Sequence, residues 1–291
     1  MATFTYSERI EPQYVRHLKA QFSFTNSLTN EALLIRLLVG TLRITNVYST
    51  DSFDQLNNYS ILGKPQNSPV SSKAITTCLT NHKIQEICDY LDKTKYLNKD
   101  FFLHLLEEIS SYFYKKTKTS HTICFLHLYR SLEYISYSFP LIYASISREY
   151  HGSFMKMKNF FDSSKNELLF FDEFTKKLLD SSLLETPLIF NFNTLSQEVN
   201  RNHFKIIKAI LTSENIDSEV ANVSITTTYQ HLLKLSIDLR NRYFHFAMGG
   251  QRNIRSTEII ESDIFFQLIN EELLNWISII YFEILSASID K

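Results

Sequence analysis

Apolar residues along this chain recur mostly at three- and four-residue intervals, the spacing that lays one apolar face along an α-helix. In Asn98–Tyr114 the positions Phe101, Phe102, Leu105, Leu106, Ile109 and Phe113 keep that period, with Asn98 as the expected cap. Ile84, Ile87 and Leu91 do the same in Ile75–Leu91, and Leu128, Leu132, Ile135 and Phe139 in His121–Tyr150, where Pro140 is expected to kink the helix. A further main helix is predicted over Thr226–Met248, with Leu232, Leu235, Leu239, Tyr243 and Phe246 on one face and Gly249-Gly250 ending it. The last helix starts near Ser262-Asp263 as its cap and carries Ile264, Leu268, Leu273, Trp276, Ile280 and Ile284.

Between the second and third of these main helices, Gly152–Ser224 reads as an insertion (about 152–224) with shorter helical pieces at Lys156–Phe161, Leu168–Leu179 and Val199–Thr212. Residues 1–75 are the least patterned. Leu28–Ile44 is dense in leucine yet runs into Leu42, Ile44 and Val47, a mixture of helix and strand signals. Gly63–Ser72 holds a glycine, two prolines and three serines, the best linker in the chain. The reading is therefore an all-α domain over 76–291, preceded by a less readable N-terminal region.

Composition sharpens this picture. The 291 residues include only five glycines and five prolines, too few for the many tight turns of a sandwich or barrel. A net charge of −1 excludes a generally basic coat, so nucleic acid has to be met by a local patch. One exists: Arg240, Arg242, Arg252 and Arg255 fall in a stretch without Asp or Glu. Three cysteines without Cys-x-x-Cys spacing argue against a disulfide scaffold or zinc site and suit a reducing compartment. Met1–Glu11 lacks the apolar stretch of a signal peptide. The apolar runs Leu132–Ser147 and Leu273–Leu285 fall short of the roughly 20 residues that span a bilayer. A soluble cytoplasmic protein is expected.

The densest chemistry lies in Arg240-Asn241-Arg242-Tyr243-Phe244-His245. A histidine can move a proton near neutral pH, and an arginine separated from it by four residues can hold a phosphate. At about 100° per helical residue, Asn241 and His245 stand about 40° apart, while Arg240 and His245 stand about 140° apart. Lys234, Asp238, Asn241 and His245 thus form one polar stripe with Arg240 at its flank. Asp238 and Arg242 have the spacing of a surface pair.

This run resembles the R-x(4–6)-H signature of HEPN-domain ribonucleases, in the form Arg-Asn-x-x-x-His. The resemblance covers about 80–291 in outline and six residues in its specific part. It implies a HEPN-like helical bundle that pairs as a homodimer, so that two motif copies meet in one cleft. It further implies a metal-independent endoribonuclease in which His245 serves the RNA 2′-hydroxyl as general base or acid, Arg240 binds the scissile phosphate and Asn241 orients one of them. No cofactor is implied. Roles in phage defence or as a toxin with an antitoxin or defence-system partner protein are frequent in that family. One subgroup carries a tyrosine two residues after the histidine; here Ala247 stands there, which weakens any likeness to toxins silenced at that tyrosine.

Arg242, Arg252 and Arg255 are the candidate RNA-binding residues. Glu133 is a candidate support for Arg240, although Arg130 three residues earlier offers it a local partner. Asn200-Arg201-Asn202-His203 reads as a helix entry more readily than as an RNA contact. No glycine-rich phosphate loop and no paired metal spacing occur. The competing reading is a non-catalytic helical module that binds RNA or a protein partner through the same patch. Because Arg240 and His245 do not align on one helix, and because the stripe through Trp276, Ile280 and Ile284 exceeds what one core needs, a dimer through the third and fourth main helices is expected.

Overall fold

The computed structural model describes residues 3–63, 66–68, 71–79, 81–146, 150–162, 171–172, 175–176, 179–194, 196–244 and 253–290. The chain divides into two compact units, Met1–Lys118 with Leu274–Lys291, and Thr119–Leu273. The fold is mainly helical. It is not all-α, because three small antiparallel sheets are present among the described residues.

The first unit opens with strand β1 (Phe4–Glu8) and a short helix α1 (Pro12–Val15), followed by helix α2 (Asn30–Leu38). Strands β2 (Leu42–Asn46) and β3 (Ser52–Asp54) complete a sheet in the order β1-β2-β3, with Tyr6 opposite Ile44 and Ile44 opposite Phe53. The leucine-rich run read as mixed thus resolves into helix, turn and strand. Gly40 makes that turn possible: its φ is +73°, and a Cβ there would lie 2.6 Å from the Asn57 carbonyl oxygen. Arg36 of α2 is fully buried. It donates to Glu8 Oε1 at 3.0 Å and to the Phe22 carbonyl at 2.8 Å, so its charge is paired within the core. Strand β4 (Asn57–Asn58) pairs with β5 (Gln66–Asn67), and β5 lies in the segment read as a linker.

Helix α3 (Lys73–Thr76), α4 (Ile84–Thr94) and α5 (Lys99–Thr117) follow. Asn98 does not cap α5 with its side chain. It takes a left-handed conformation instead, with φ of 50°. Leu105, Leu106, Ile109 and Tyr112 of α5 are buried, as the helical period requires. The unit is completed by the end of the last helix, where Asn275 Nδ2 donates to the carbonyls of Tyr59 and Ile61 at 3.2 and 2.8 Å.

The second unit begins with α6 (His121–Ile146), which continues through Pro140 as one element, and α7 (Tyr150–Asp162). Most of the helix predicted over Leu168–Leu179 lies outside the described residues. Short helix α8 (Ser181–Leu184) leads to strand β6 (Pro187–Asn191), then helix α9 (Gln197–Leu211), strands β7 (Ser218–Val220) and β8 (Ser224–Thr228), and helix α10 (Leu232–Tyr243). The sheet order is β6-β8-β7. Leu188, Phe190, Ile225 and Thr227 alternate onto its buried face. The predicted helix start at Thr226 is therefore a strand: Ile225 and three threonines favour the pleated conformation through β-branching.

Helix α11 (Ser262–Ile289) ends the chain. Asp263 caps not its own helix but the start of α6, accepting the Thr122 N–H at 2.7 Å. Asn270 Nδ2 donates to the His121 carbonyl at 2.8 Å. The helix is longer than its apolar run and, by length and composition, could cross a membrane; 61% of its most apolar window is buried in the protein. Trp276 and Ile280 are among the buried residues, so this part of the stripe is consumed by the chain's own core and offers no surplus for a partner.

Candidate functional site

Helix α10 buries Leu232, Leu233, Leu235, Ile237 and Leu239. The opposite stripe is left towards water, with Lys234 exposed and Asp238 and Asn241 partly so. Its regular part ends at Tyr243, and Phe244 closes it with its N–H on the Arg240 carbonyl at 2.9 Å. His245, the proposed proton carrier, and Arg252 lie outside the described residues, as do the glycines expected to end the helix.

What precedes His245 is firmly anchored. The Phe244 ring stacks on Phe125 of α6 with centroids 5.9 Å apart and planes within 8°. It also meets Phe266 of α11 at 5.8 Å, and Tyr243 meets the same Phe266 edge-on at 5.2 Å. Phe125 and Phe266 are themselves 5.0 Å apart. Such offset and edge-on pairs each add about 0.5–1.5 kcal/mol beyond their buried area. Phe244 is thereby held from two helices.

Arg240 sits one turn earlier. Its side chain is 26% exposed, and its guanidinium carbon lies 5.0 Å from the centre of the Tyr129 ring. Its Nη1 donates to Asn241 Oδ1 at 3.2 Å, and its Nη2 lies 4.0 Å from Glu133 Oε1. The Glu133 contact is at the outer limit of an ion pair and its carboxylate is 44% exposed, so it contributes about 0–1 kcal/mol. The ring contributes a comparable amount and also fixes the plane beside which the guanidinium lies. Burial pushes the Tyr129 hydroxyl up to about 12, so the ring under the arginine stays a neutral phenol at physiological pH. The structure thus brings Arg240, Asn241 and Glu133 together and adds Tyr129, which the sequence reading missed. A signal existed: Tyr129 and Glu133 are four apart and share a helix face.

The basic patch is looser. Arg242 Nη1 approaches the Ala209 carbonyl at 3.4 Å rather than pairing with Asp238, and its own carbonyl accepts the Ile254 N–H at 2.8 Å. Arg255 starts a short turn, Ser256–Glu258, in which Glu258 accepts the Arg255 N–H at 2.9 Å, placing an acid beside the acid-free stretch. The run Asn200–His203 is structural. Asn202 pairs with Glu258 and Ile260 backbone at 2.9 and 3.1 Å, and His203 Nε2 lies 2.6 Å from the Ile260 carbonyl. Burial holds His203 below the ordinary histidine range, so it donates there as a neutral ring.

Among the described residues no group of three His, Cys, Asp or Glu side chains is placed to hold a metal ion. Burial pushes the Cys78 and Cys88 thiols up to about 12 and about 11, far from reactive thiolates. Comparison of the chain with known protein families, with curated proteins and with solved structures finds no match.

Proposed function

We propose that this chain is a HEPN-like, metal-independent endoribonuclease that acts as a cytoplasmic homodimer, with a role in antiviral defence or as a toxin. The observation that carries this reading is Arg240: a partly exposed guanidinium, steadied by Tyr129 and Asn241, one turn before an aromatically anchored backbone that leads into His245. In this reading Arg240 binds the non-bridging oxygens of the scissile phosphate and Asn241 orients the arginine. His245 takes the proton of the 2′-hydroxyl as its oxygen attacks phosphorus. The bond to the 5′-oxygen breaks, and that oxygen receives a proton from the motif of the second copy. The products carry a 2′,3′-cyclic phosphate and a 5′-hydroxyl. Arg242, Arg252 and Arg255 draw the RNA backbone in.

The proximity of Glu133 to Arg240 favours a second reading, a non-catalytic module in which the arginine is a structural anchor beside an RNA- or partner-binding patch. The test is cleavage of RNA in the presence of a chelator by the intact chain and by His245→Ala and Arg240→Ala. Loss of a general base costs about 10²–10⁴-fold. Wild-type cleavage by either variant would overturn the site assignment. RNA binding without cleavage by the intact protein would leave the binding module.

A further inference from the structure

In the first unit, a pocket of about 180 Å³ opens between the start of α2 and the connection from α4 to α5. Its walls include Ser27, Thr29, Glu31, Thr94, Lys95 and Lys99, with Tyr96 and Phe102 also lining it. We propose that this pocket binds a small phosphate monoester, its dianion held between Lys95 and Lys99. The inference does not depend on the ribonuclease reading.

Three observations carry it. First, both lysines line the pocket, and each ammonium group lies beside the same ring: Nζ of Lys95 is 5.7 Å and Nζ of Lys99 4.7 Å from the Tyr96 centroid. Among the described residues no carboxylate forms an ion pair with either. A dianion between them balances both charges, whereas a single carboxylate leaves one uncompensated.

Second, the opposing charge in the wall is muted. Glu31 is buried, and burial pushes its carboxyl up to about 7, with Thr94 Oγ1 donating to it at 3.4 Å. It therefore carries at most a partial charge near neutral pH. Third, size restricts the ligand. An apolar cavity of about 150 Å³ accepts one benzene ring, so 180 Å³ holds a phosphate with one small ring or a short carbon chain.

The experiment is calorimetric titration of the full chain with phenyl phosphate, benzoate and phenol. Phenyl phosphate is expected to bind saturably, with benzoate and phenol at least about tenfold weaker, as loss of a charge-assisted contact implies. Lys95→Ala/Lys99→Ala is expected to weaken phenyl phosphate by at least about tenfold. Both side chains are exposed, and an unchanged thermal transition checks that the fold is kept. Arg240→Ala should bind as the wild type does, which separates this pocket from the proposed RNA site. No saturable binding of phenyl phosphate at millimolar concentration, equal binding of benzoate, or an unaffected double lysine variant each overturns the proposal.

Discussion

Arg240 on α10 rests its guanidinium over the ring of Tyr129 on α6, 5.0 Å from its centre. The arginine of the motif is thus positioned by a helix more than a hundred residues earlier in the chain. A ring face holds a cation without consuming its N–H donors, so those not engaged by Asn241 or drawn to Glu133 stay open to an approaching anion.

Replacement of Tyr129 should therefore separate the ring from its hydroxyl. Tyr129→Phe keeps the face and is expected to cleave RNA within about twofold of the intact protein. Tyr129→Leu removes it, and a cation–π loss of about 0.5–2 kcal/mol corresponds to roughly 2- to 30-fold in kcat/KM. Steady-state kinetics on a labelled RNA measures this; equal rates for the two variants would mean that the ring is packing alone.

The basic patch predicts a salt dependence. For single-stranded RNA each phosphate contact contributes about 0.7 to the slope of log affinity against log salt. Charge reversal at Arg252 and Arg255 is expected to flatten that slope without moving the pH dependence attributed to His245. Arg242, already near the Ala209 carbonyl, is expected to matter less. An unchanged slope in the double variant would place the RNA path elsewhere.

A homodimer is predicted, on the ground that Arg240 and His245 point about 140° apart on an ideal helix and one motif does not close a site by itself. Trp276 and Ile280 no longer support it, since both are buried within the chain. Light scattering at micromolar concentration should give twice the 34.2 kDa chain mass. A monomer whose activity is linear in concentration would count against the paired site.

Glu31 makes stability depend on pH. Its carboxyl is raised by burial from 4.5 to about 7 in the folded chain, so between those values the folded state holds a proton that the unfolded state has lost. Stability is then fully present below about 4.5, falls as pH rises towards 7, and is flat above. The span is about 3 kcal/mol. Glu31→Gln should remove this fall and be the more stable protein at pH 8. Urea melts of both chains from pH 5 to 8 decide it; parallel curves would mean that Glu31 is not the titrating group.

The long helices were legible because a core-facing stripe repeats many times within one element, as along Phe102, Leu105, Leu106 and Ile109. The sheets were not. β8 offers only Ser-Ile-Thr-Thr-Thr, in which one isoleucine and one buried threonine mark the inner face, too little contrast for the period of two to emerge beside a helix. Arg36 and Glu8 also escaped, since nothing local announces that a charged pair will be buried. At the candidate site the motif itself was visible in six residues. Tyr129 was missed: its spacing from Glu133 places it on the same helix face, but the cation–π contact itself, across 111 positions of sequence, is made by tertiary packing.

The final helix belongs to both units: residues up to Leu273 group with the second and those from Leu274 with the first. Asn275 satisfies the carbonyls of Tyr59 and Ile61, and its Oδ1 accepts the Gly63 N–H at 3.2 Å. On the ribosome, residues 3–118 therefore lack a piece of their own unit until the segment from Leu274 onward emerges. Its sheet and helices wait with an open side while the whole second unit is synthesised.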